Sequence, residues 1–127
     1  MTEAKRVIFV FGSNLAGQHG KGAAKAALEK FGAIYGQGEG LQGDSYAIPT
    51  KDRDLMPLPL GEIISYVAEF VAFARAHPDM IFALTPIGTG LAGYRVEEIA
   101  PMFKHVPHNV QLPAEFHNFL LRKAESD

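Results

Sequence analysis

The sequence contains no cysteine. Disulfide bonds, cysteine-ligated zinc sites and cysteine nucleophiles are therefore excluded. The charge is also nearly balanced, since 12 Lys and Arg face 14 Asp and Glu and the formal net charge is -2. General nucleic-acid binding needs a basic surface, so this balance argues against it. A small anionic ligand is compatible with the balance, because backbone N–H groups bind phosphate without net charge.

Long hydrophobic runs are absent as well. The first apolar run, residues 7–11, is too short for the core of a signal peptide or for a membrane span. We therefore expect a cytoplasmic protein with no membrane partner. The length of 127 residues predicts a single domain, residues 1–127, large enough to bury a core without disulfides. The histidines lack metal-ligand spacing, so neither a metal nor a cofactor is predicted.

Segments with strand character alternate with segments of helical spacing. The predicted strands are residues 6–11, 45–48, 80–85 and 109–112, and the predicted helices are residues 21–31, 60–76, 97–104 and 113–123. We expect Pro101 to bend the third helix, Pro49 to stop the second strand, and residues 36–43 to form a loop. The alternation predicts an α/β fold with a mostly parallel sheet and helices on both faces.

Glycine is the most informative residue that the chain does contain. Eleven of the 13 glycines fall in three patches, at residues 12–22, 36–43 and 88–93. The first and third patches each follow an apolar strand, and ligands of open α/β sheets bind at the carboxyl ends of strands. Neither patch has the spacing of a Walker loop or of a dinucleotide fingerprint. We predict that these two patches hold one diphosphate-sized ligand, and the alternative is that they only form turns.

Three short motifs resemble those of macrodomains. Residues 14–24, NLAGQHGKGAA, resemble the first signature of that family, in which an Asn precedes a Gly-x-Gly-small segment that opens a helix. Residues 85–94, TPIGTGLAGY, resemble the second signature, a Gly-[Ser/Thr/Cys]-Gly loop. Residues 46–51, YAIPTK, are similar to the strand and Thr-Lys motif of one branch. That branch contains the terminal ADP-ribose glycohydrolase and the DNA ADP-ribosyl glycohydrolase antitoxins. The resemblance covers residues 7–104.

The resemblance implies a three-layer α/β/α sandwich that binds ADP-ribose or a related nucleotide diphosphate sugar. Lys51 occupies the position of the lysine that attacks the anomeric carbon, which implies an ADP-ribosyl glycohydrolase acting on an ADP-ribosylated macromolecule. The implied ligand-binding residues are Asn14, Gly20, Lys21, Gly22, Ala23, Gly88, Thr89, Gly90, Leu91, Ala92, Gly93 and Tyr94. Two alternatives stay open: a non-catalytic reader of the same ligand, and a phage-type accessory protein whose pocket has diverged.

The sequence also departs from the family. It starts at what resembles a later strand, so we expect the Gly-Asp dipeptide that lies near adenine to be missing. Ala24 or Lys25 stands where some family hydrolases carry an acidic residue, and Ala92 stands where the terminal glycohydrolase has an aspartate. We therefore expect no acid–base help at those two places.

Several side chains allow two interpretations. Lys51 is either a nucleophile, which needs an unprotonated amine, or a solvated lysine that at most pairs with phosphate. Lys21 stands at a helix start, where a cation is disfavoured unless an anion is bound there. His19 lies in the first glycine patch and is the histidine most worth testing. Glu39 and Asp44, in the middle patch, either hydrogen-bond ribose hydroxyls or an amine, or are solvated.

Overall fold

The structure is a computed structural model that describes residues 5–126. Within that range the chain forms an α/β fold with a five-stranded, mostly parallel sheet and four α-helices. The strands are β1 (Arg6–Asn14), β2 (Gly40–Gln42), β3 (Ser45–Lys51), β4 (Met80–Leu84) and β5 (Val110–Gln111). The helices are α1 (Gly22–Lys30), α2 (Leu60–Ala76), α3 (Val96–Ile99) and α4 (Ala114–Ser126), with a 3-10 turn, Ala100–Phe103, after α3.

The order of the strands places β1 at the centre of the sheet. The order is β2-β3-β1-β4-β5, in which β1 runs parallel to β3 and β4, and β5 runs parallel to β4. The chain passes from β1 to β3 on one side and then to β4 on the other side. The carboxyl ends of β3, β1 and β4 therefore meet at one edge, at the point where the direction of winding changes. Open α/β sheets bind their ligands at such a point.

The sequence predicted most of these elements. All four predicted strands are present, and α2 has the predicted bounds. The third predicted helix is interrupted as expected, because α3 ends at Ile99 and a 3-10 turn containing Pro101 continues it. Proline cannot donate the backbone hydrogen bond of an α-helix, and its ring crowds the preceding turn. Within residues 5–126 no helix is both long and apolar enough to cross a membrane.

Two predictions about the middle of the chain were wrong. The expected loop at residues 36–43 contains β2, which pairs antiparallel with β3 through a two-residue turn. The third strand also continues through Pro49 to Lys51. The N–H of Phe9 donates to the carbonyl of Asp44, and the backbone groups of every second residue after Asp44 point towards β1 in the same way. Pro49 is not one of these residues, so its backbone groups point away from β1. Because β2 begins at Gly40, opposite Ala47, no residue of β2 pairs with Pro49, and the missing N–H of Pro49 costs no ladder bond.

The sheet has a separate apolar cluster on each face of β1. Side chains of a strand alternate between faces, and Ile8 and Val10 belong to the larger cluster while Phe11 belongs to the smaller one. The larger cluster includes buried residues of α2, α3 and α4. The smaller one contains Ala24 and Ala27 of α1. Alanine lets α1 lie close to the strands, and it also brings the start of that helix to the carboxyl end of β1.

Two carboxylates, Glu39 before β2 and Glu69 on α2, lie next to each other. Slight burial, and then the neighbouring Glu69 carboxylate, raises the pKa of Glu39 above its ordinary value of 4.5. Burial and the same two carboxylates raise the pKa of Tyr46 to about 12. The folded protein therefore binds the proton of Glu39 more tightly than the unfolded chain does. The stability that Glu39 contributes is complete below pH 4.5 and is lost as the pH rises through the raised pKa.

We expect Glu69→Gln to raise the melting temperature at pH 7 and to flatten the loss of stability above pH 4.5. The gain should be about 0.5 kcal/mol or less, because both carboxylates are solvent-exposed. Thermal unfolding between pH 4 and pH 8 measures it. Glu115→Gln is the control, since Glu115 lies in the first turn of α4, where a carboxylate is favourable. A profile of Glu69→Gln that overlays the unsubstituted protein would contradict the expectation.

Candidate functional site

A cleft of about 480 Å³ lies at the carboxyl ends of β3, β1 and β4. Its walls come from the first glycine patch after β1, from Thr50 and Lys51 at the end of β3, and from the loop after β4. Gly22 of the first patch and Gly90 of the third both line it. The two glycine loops therefore converge on one space, and its volume is in the range of small-molecule sites.

All but two of the residues predicted for the site line this cleft. Those present are Lys51, Asn14, Gly20, Lys21, Gly22, Ala23, Gly88, Thr89, Gly90, Leu91 and Ala92. Gly93 and Tyr94 lie outside the lining. The Tyr94 hydroxyl donates to the Leu58 carbonyl at 2.5 Å, and its ring packs against the larger apolar cluster. Packing is the role that the structure shows for Tyr94.

Asn14 shapes the first glycine loop. Its side-chain Nδ2 donates to the carbonyl of Gln18 at 2.9 Å, and its Oδ1 accepts from the N–H of Gln18 at 2.9 Å. The backbone carbonyl of Asn14 accepts from the N–H of Gly17, also at 2.9 Å. Asparagine closes such turns because its amide imitates a backbone peptide. Asn14 therefore lies at the cleft as predicted, and one donor and one acceptor of its side-chain amide are used inside the loop.

The loop after β4 is closed by its own backbone. The N–H of Tyr94 donates to the carbonyl of Gly88 at 2.9 Å, and the N–H of Gly93 donates to Gly90 at 3.0 Å. The Thr89 hydroxyl donates to the Pro86 carbonyl at 2.7 Å. These bonds fix the loop before any ligand arrives. The lining segment, residues 88–92, includes Gly88 and Gly90, where no side chain covers the backbone.

The N-terminus of α1 opens onto the same cleft. Lys21 is the N-cap, it makes no side-chain cap hydrogen bond, and no acidic residue lies in the first turn. The first N–H groups of a helix have no partner within the helix. Gly22, Ala23 and Ala24 carry those groups here, and all three line the cleft. They can therefore donate to an anion, which the helix dipole also attracts.

The lining of the cleft is positively charged. It contains Lys21 and Lys51 but no Asp or Glu. Neither lysine forms an ion pair with any residue in the range 5–126. The whole chain has a formal net charge of -2, so this local excess runs against the overall balance. A cleft of this kind favours an anionic ligand, and it offers no carboxylate for acid–base chemistry.

The acidic residues that follow Lys51 are used locally. The Asp52 Oδ1 accepts from the N–H of Asp54 at 2.9 Å and from the N–H of Met56 at 3.0 Å. These bonds hold the turn that leaves β3. Lys51 itself is half-buried. Neither Asp52 nor Asp54 lines the cleft.

His19 is buried behind the first glycine loop and does not line the cleft. Its Nε2 lies 3.0 Å from the Gln37 carbonyl and 3.2 Å from Gln42 Oε1. Gln42 Oε1 also accepts from the N–H of Ile34, so both partners of Nε2 are acceptors and Nε2 carries the hydrogen. His19 therefore ties the first glycine loop to β2. Its Nδ1 has no partner among residues 5–126.

The middle glycine patch contributes no carboxylate to the cleft. Asp44 forms an ion pair with Arg6 at 2.7 Å, and Glu39 lies beside Glu69. The sequence also missed lining residues. Thr85 could have been found, because it ends the predicted strand 80–85 beside a glycine loop, and Ser13 could have been found, because it lies inside the first glycine patch. No sequence pattern indicated Tyr35 or Leu55, which reach the cleft through irregular segments. The lining residues that were not among the predicted site residues are Gly12, Ser13, Gln18, Ala24, Tyr35, Thr50, Leu55, Thr85, Pro86 and Ile87.

No protein-family model, no curated protein and no solved structure matches this chain.

Proposed function

We propose that the cleft binds ADP-ribose or a related nucleotide diphosphate sugar. One observation carries the proposal: two glycine loops and the uncapped N-terminus of α1 line a single cleft that holds two lysines and no carboxylate. Backbone N–H groups and lysines together suit a diphosphate, because it carries two adjacent negative charges with many acceptor oxygens. A sugar attached to it would extend towards Lys51 at the end of β3.

The proposal includes a three-layer α/β/α, macrodomain-like arrangement. Its support is the pair of apolar clusters on the two faces of β1, one built with α1 and the other with α2, α3 and α4. The position of the cleft at the winding switch supports it as well. In this proposal the protein works in the cytoplasm on an ADP-ribosylated macromolecule.

Lys51 is the proposed nucleophile. Its unprotonated amine forms a bond to the anomeric carbon of the ribose, while the bond to the acceptor breaks and the acceptor leaves with the electron pair and a proton. The oxygen of a water molecule then bonds to the anomeric carbon as the bond to the lysine nitrogen breaks, and one proton of the water passes to that nitrogen. Because Asp, Glu and His are absent from the lining, no other side chain there is an obvious general base. The same absence favours a second candidate, a reader that binds ADP-ribose without cleaving it.

Calorimetry of the full chain with ADP-ribose tests both candidates. A ligand present at about 100 times its Kd should add about 2.7 kcal/mol to the free energy of unfolding, so a thermal shift must accompany the heat. If neither heat nor a thermal shift appears at millimolar ligand, both the hydrolase and the reader are rejected.

We expect Lys51→Ala to lower release of ADP-ribose from modified DNA or protein at least about 100-fold, with a much smaller loss of ADP-ribose affinity, because Lys21 and the start of α1 still bind the diphosphate. Arg53→Ala is the matched control, because it removes the same charge two residues away and Arg53 does not line the cleft. Turnover that survives Lys51→Ala rules out attack by this lysine. Tight binding by the unsubstituted protein without any turnover identifies the reader instead.

A further inference from the structure

One exposed side of α2 carries no charged residue before Arg75. We call this side the outer face of α2, and its exposed residues are Ile64, Ser65, Ala68 and Ala72. Ile64 is 51% exposed. A surface helix normally carries charged and polar side chains on the side that faces water. Ile64, Ala68 and Ala72 recur every four residues, and such a ridge of mostly small side chains lets another helix pack closely.

A groove of about 320 Å³ runs beside the outer face, between α2 and the 3-10 turn that contains Pro101. Its apolar lining includes Val71 and Met102, and no Asp or Glu lines it. Three basic residues complete the lining, and we call them the basic edge: Arg75, Lys104 and His105. Arg75 Nη2 donates to the His105 carbonyl at 3.0 Å, which fixes the edge to α2. Among residues 5–126, neither Arg75 nor Lys104 forms an ion pair.

The other side of the outer face is acidic. Glu62 and Glu69 are seven residues apart, which is close to two helical turns, so both lie on one side of α2. Glu39 lies beside Glu69. Slight burial, and then the carboxylates of these three residues, raises the pKa of Tyr66 above its ordinary value of 10.0. We call the three carboxylates the acidic edge, and none of them forms an ion pair in the described part of the chain.

We propose that two copies of this chain associate through the outer face of α2, about a two-fold axis that runs along the helix. Rotation about that axis sets the acidic edge of each copy against the basic edge of the other. A two-fold axis across the helix would instead set like charges together, which is unfavourable. Charge complementarity therefore selects both the partner, a second copy, and the orientation. The cleft shares no lining residue with this surface, so the proposal does not depend on the ligand of the cleft.

The size of the surface sets the expected strength of the dimer. The 17 residues of α2 span about 25 Å, so the outer face and the groove together can bury roughly several hundred Å² per copy. Specific interfaces of that size lie at the lower end of the observed range. We therefore expect a dissociation constant in the micromolar range, with monomers at lower concentration.

Sedimentation velocity of the full chain, between about 5 µM and about 500 µM, covers that range. The weight-average mass should rise with concentration from that of one chain towards that of two. Ala68→Glu should weaken the dimer at least about tenfold, because each copy would bring a charge into the apolar centre of the contact. Ala124→Glu is the matched control, because Ala124 is an exposed alanine on α4 and should leave the dissociation constant unchanged.

Charge reversals test the orientation. Glu69→Lys and Arg75→Glu should each weaken the dimer at least about threefold, since each sets like charges at both contacts between the edges. Glu69→Lys should do so although it reduces the net negative charge of the chain. The double variant, with both reversals in one chain, should recover most of the affinity. Arg122→Glu, an exposed reversal on α4, is the control for net charge.

Three results would overturn the proposal. A chain that stays monomeric over the whole concentration range leaves the outer face to a different protein. A dimer that persists unchanged in a folded Ala68→Glu protein uses another surface. A dimer that Ala68→Glu disrupts, but that neither charge reversal weakens, does not bring the acidic and basic edges together, and the two-fold axis along α2 is then wrong.

Discussion

Replacing Gly90 by valine should abolish ADP-ribose binding while the protein stays folded. A Cβ at Gly90 would meet no heavy atom within 4 Å, and the backbone there is not left-handed. The substitution therefore costs the fold little. Gly90 lines the cleft, so the new side chain fills space next to the backbone that we expect to approach the phosphates. Calorimetry should show at least a 100-fold loss of affinity, with an unchanged melting temperature.

Gly61→Val is the matched control for this substitution. A Cβ at Gly61 also meets nothing within 4 Å, and Gly61 lies on α2 outside the cleft. It should bind ADP-ribose like the unsubstituted protein. Unchanged affinity in a folded Gly90→Val protein would mean that the loop after β4 does not touch the ligand. The convergence of the two glycine loops on one cleft would then no longer support the proposed function.

Gly17→Ala should produce the largest loss of stability. The φ of Gly17 is +71°, and an added Cβ would lie 2.3 Å from the carbonyl carbon of Gly36 and 2.4 Å from the nitrogen of Gln37. Both are backbone atoms, so no side chain can rotate away. We expect a loss of at least about 3 kcal/mol in the free energy of unfolding, measured by urea denaturation. Since this contact also fixes the segment of Tyr35, ADP-ribose affinity should fall in whatever fraction remains folded.

Gly36→Ala separates backbone strain from steric exclusion. Gly36 also has a positive φ, +96°, but a Cβ there meets nothing within 4 Å. Its substitution should cost only the conformational strain, about 1 to 2 kcal/mol. If both alanine variants lose the same stability, close packing of Gly17 against the backbone at Gly36 contributes nothing beyond the conformation of the backbone.

The predictions that succeeded depended on signals within a single segment. The apolar stripe of α2 repeats over more than four turns, and Pro101 interrupts its helix wherever the rest of the chain lies. The convergence of the glycine loops was predictable too, because the carboxyl ends of neighbouring parallel strands share an edge. These inferences needed only periodicity, proline chemistry and the geometry of a parallel sheet.

The predictions that failed depended on partners distant in the sequence. A proline such as Pro49 interrupts a strand only where its missing N–H faces another strand. Whether β2 faces Pro49 depends on where β2 begins. The three residues of β2 are too few to show alternation. Tyr35 and Leu55 reach the cleft because irregular segments are fixed by Gly17 and by the Asp52 side chain. No local pattern encodes such contacts.

The position of β1 has a consequence for synthesis on the ribosome. Phe9 of β1 pairs with Ser45 on one side and with Ala83 on the other. β1 is therefore made before both of its neighbours, and one of its edges stays unpaired until β4 has emerged. Pairing between such distant segments is slow. The nascent chain thus exposes an apolar, aggregation-prone strand for much of its translation. A chaperone that covers β1 would have its largest effect at this stage.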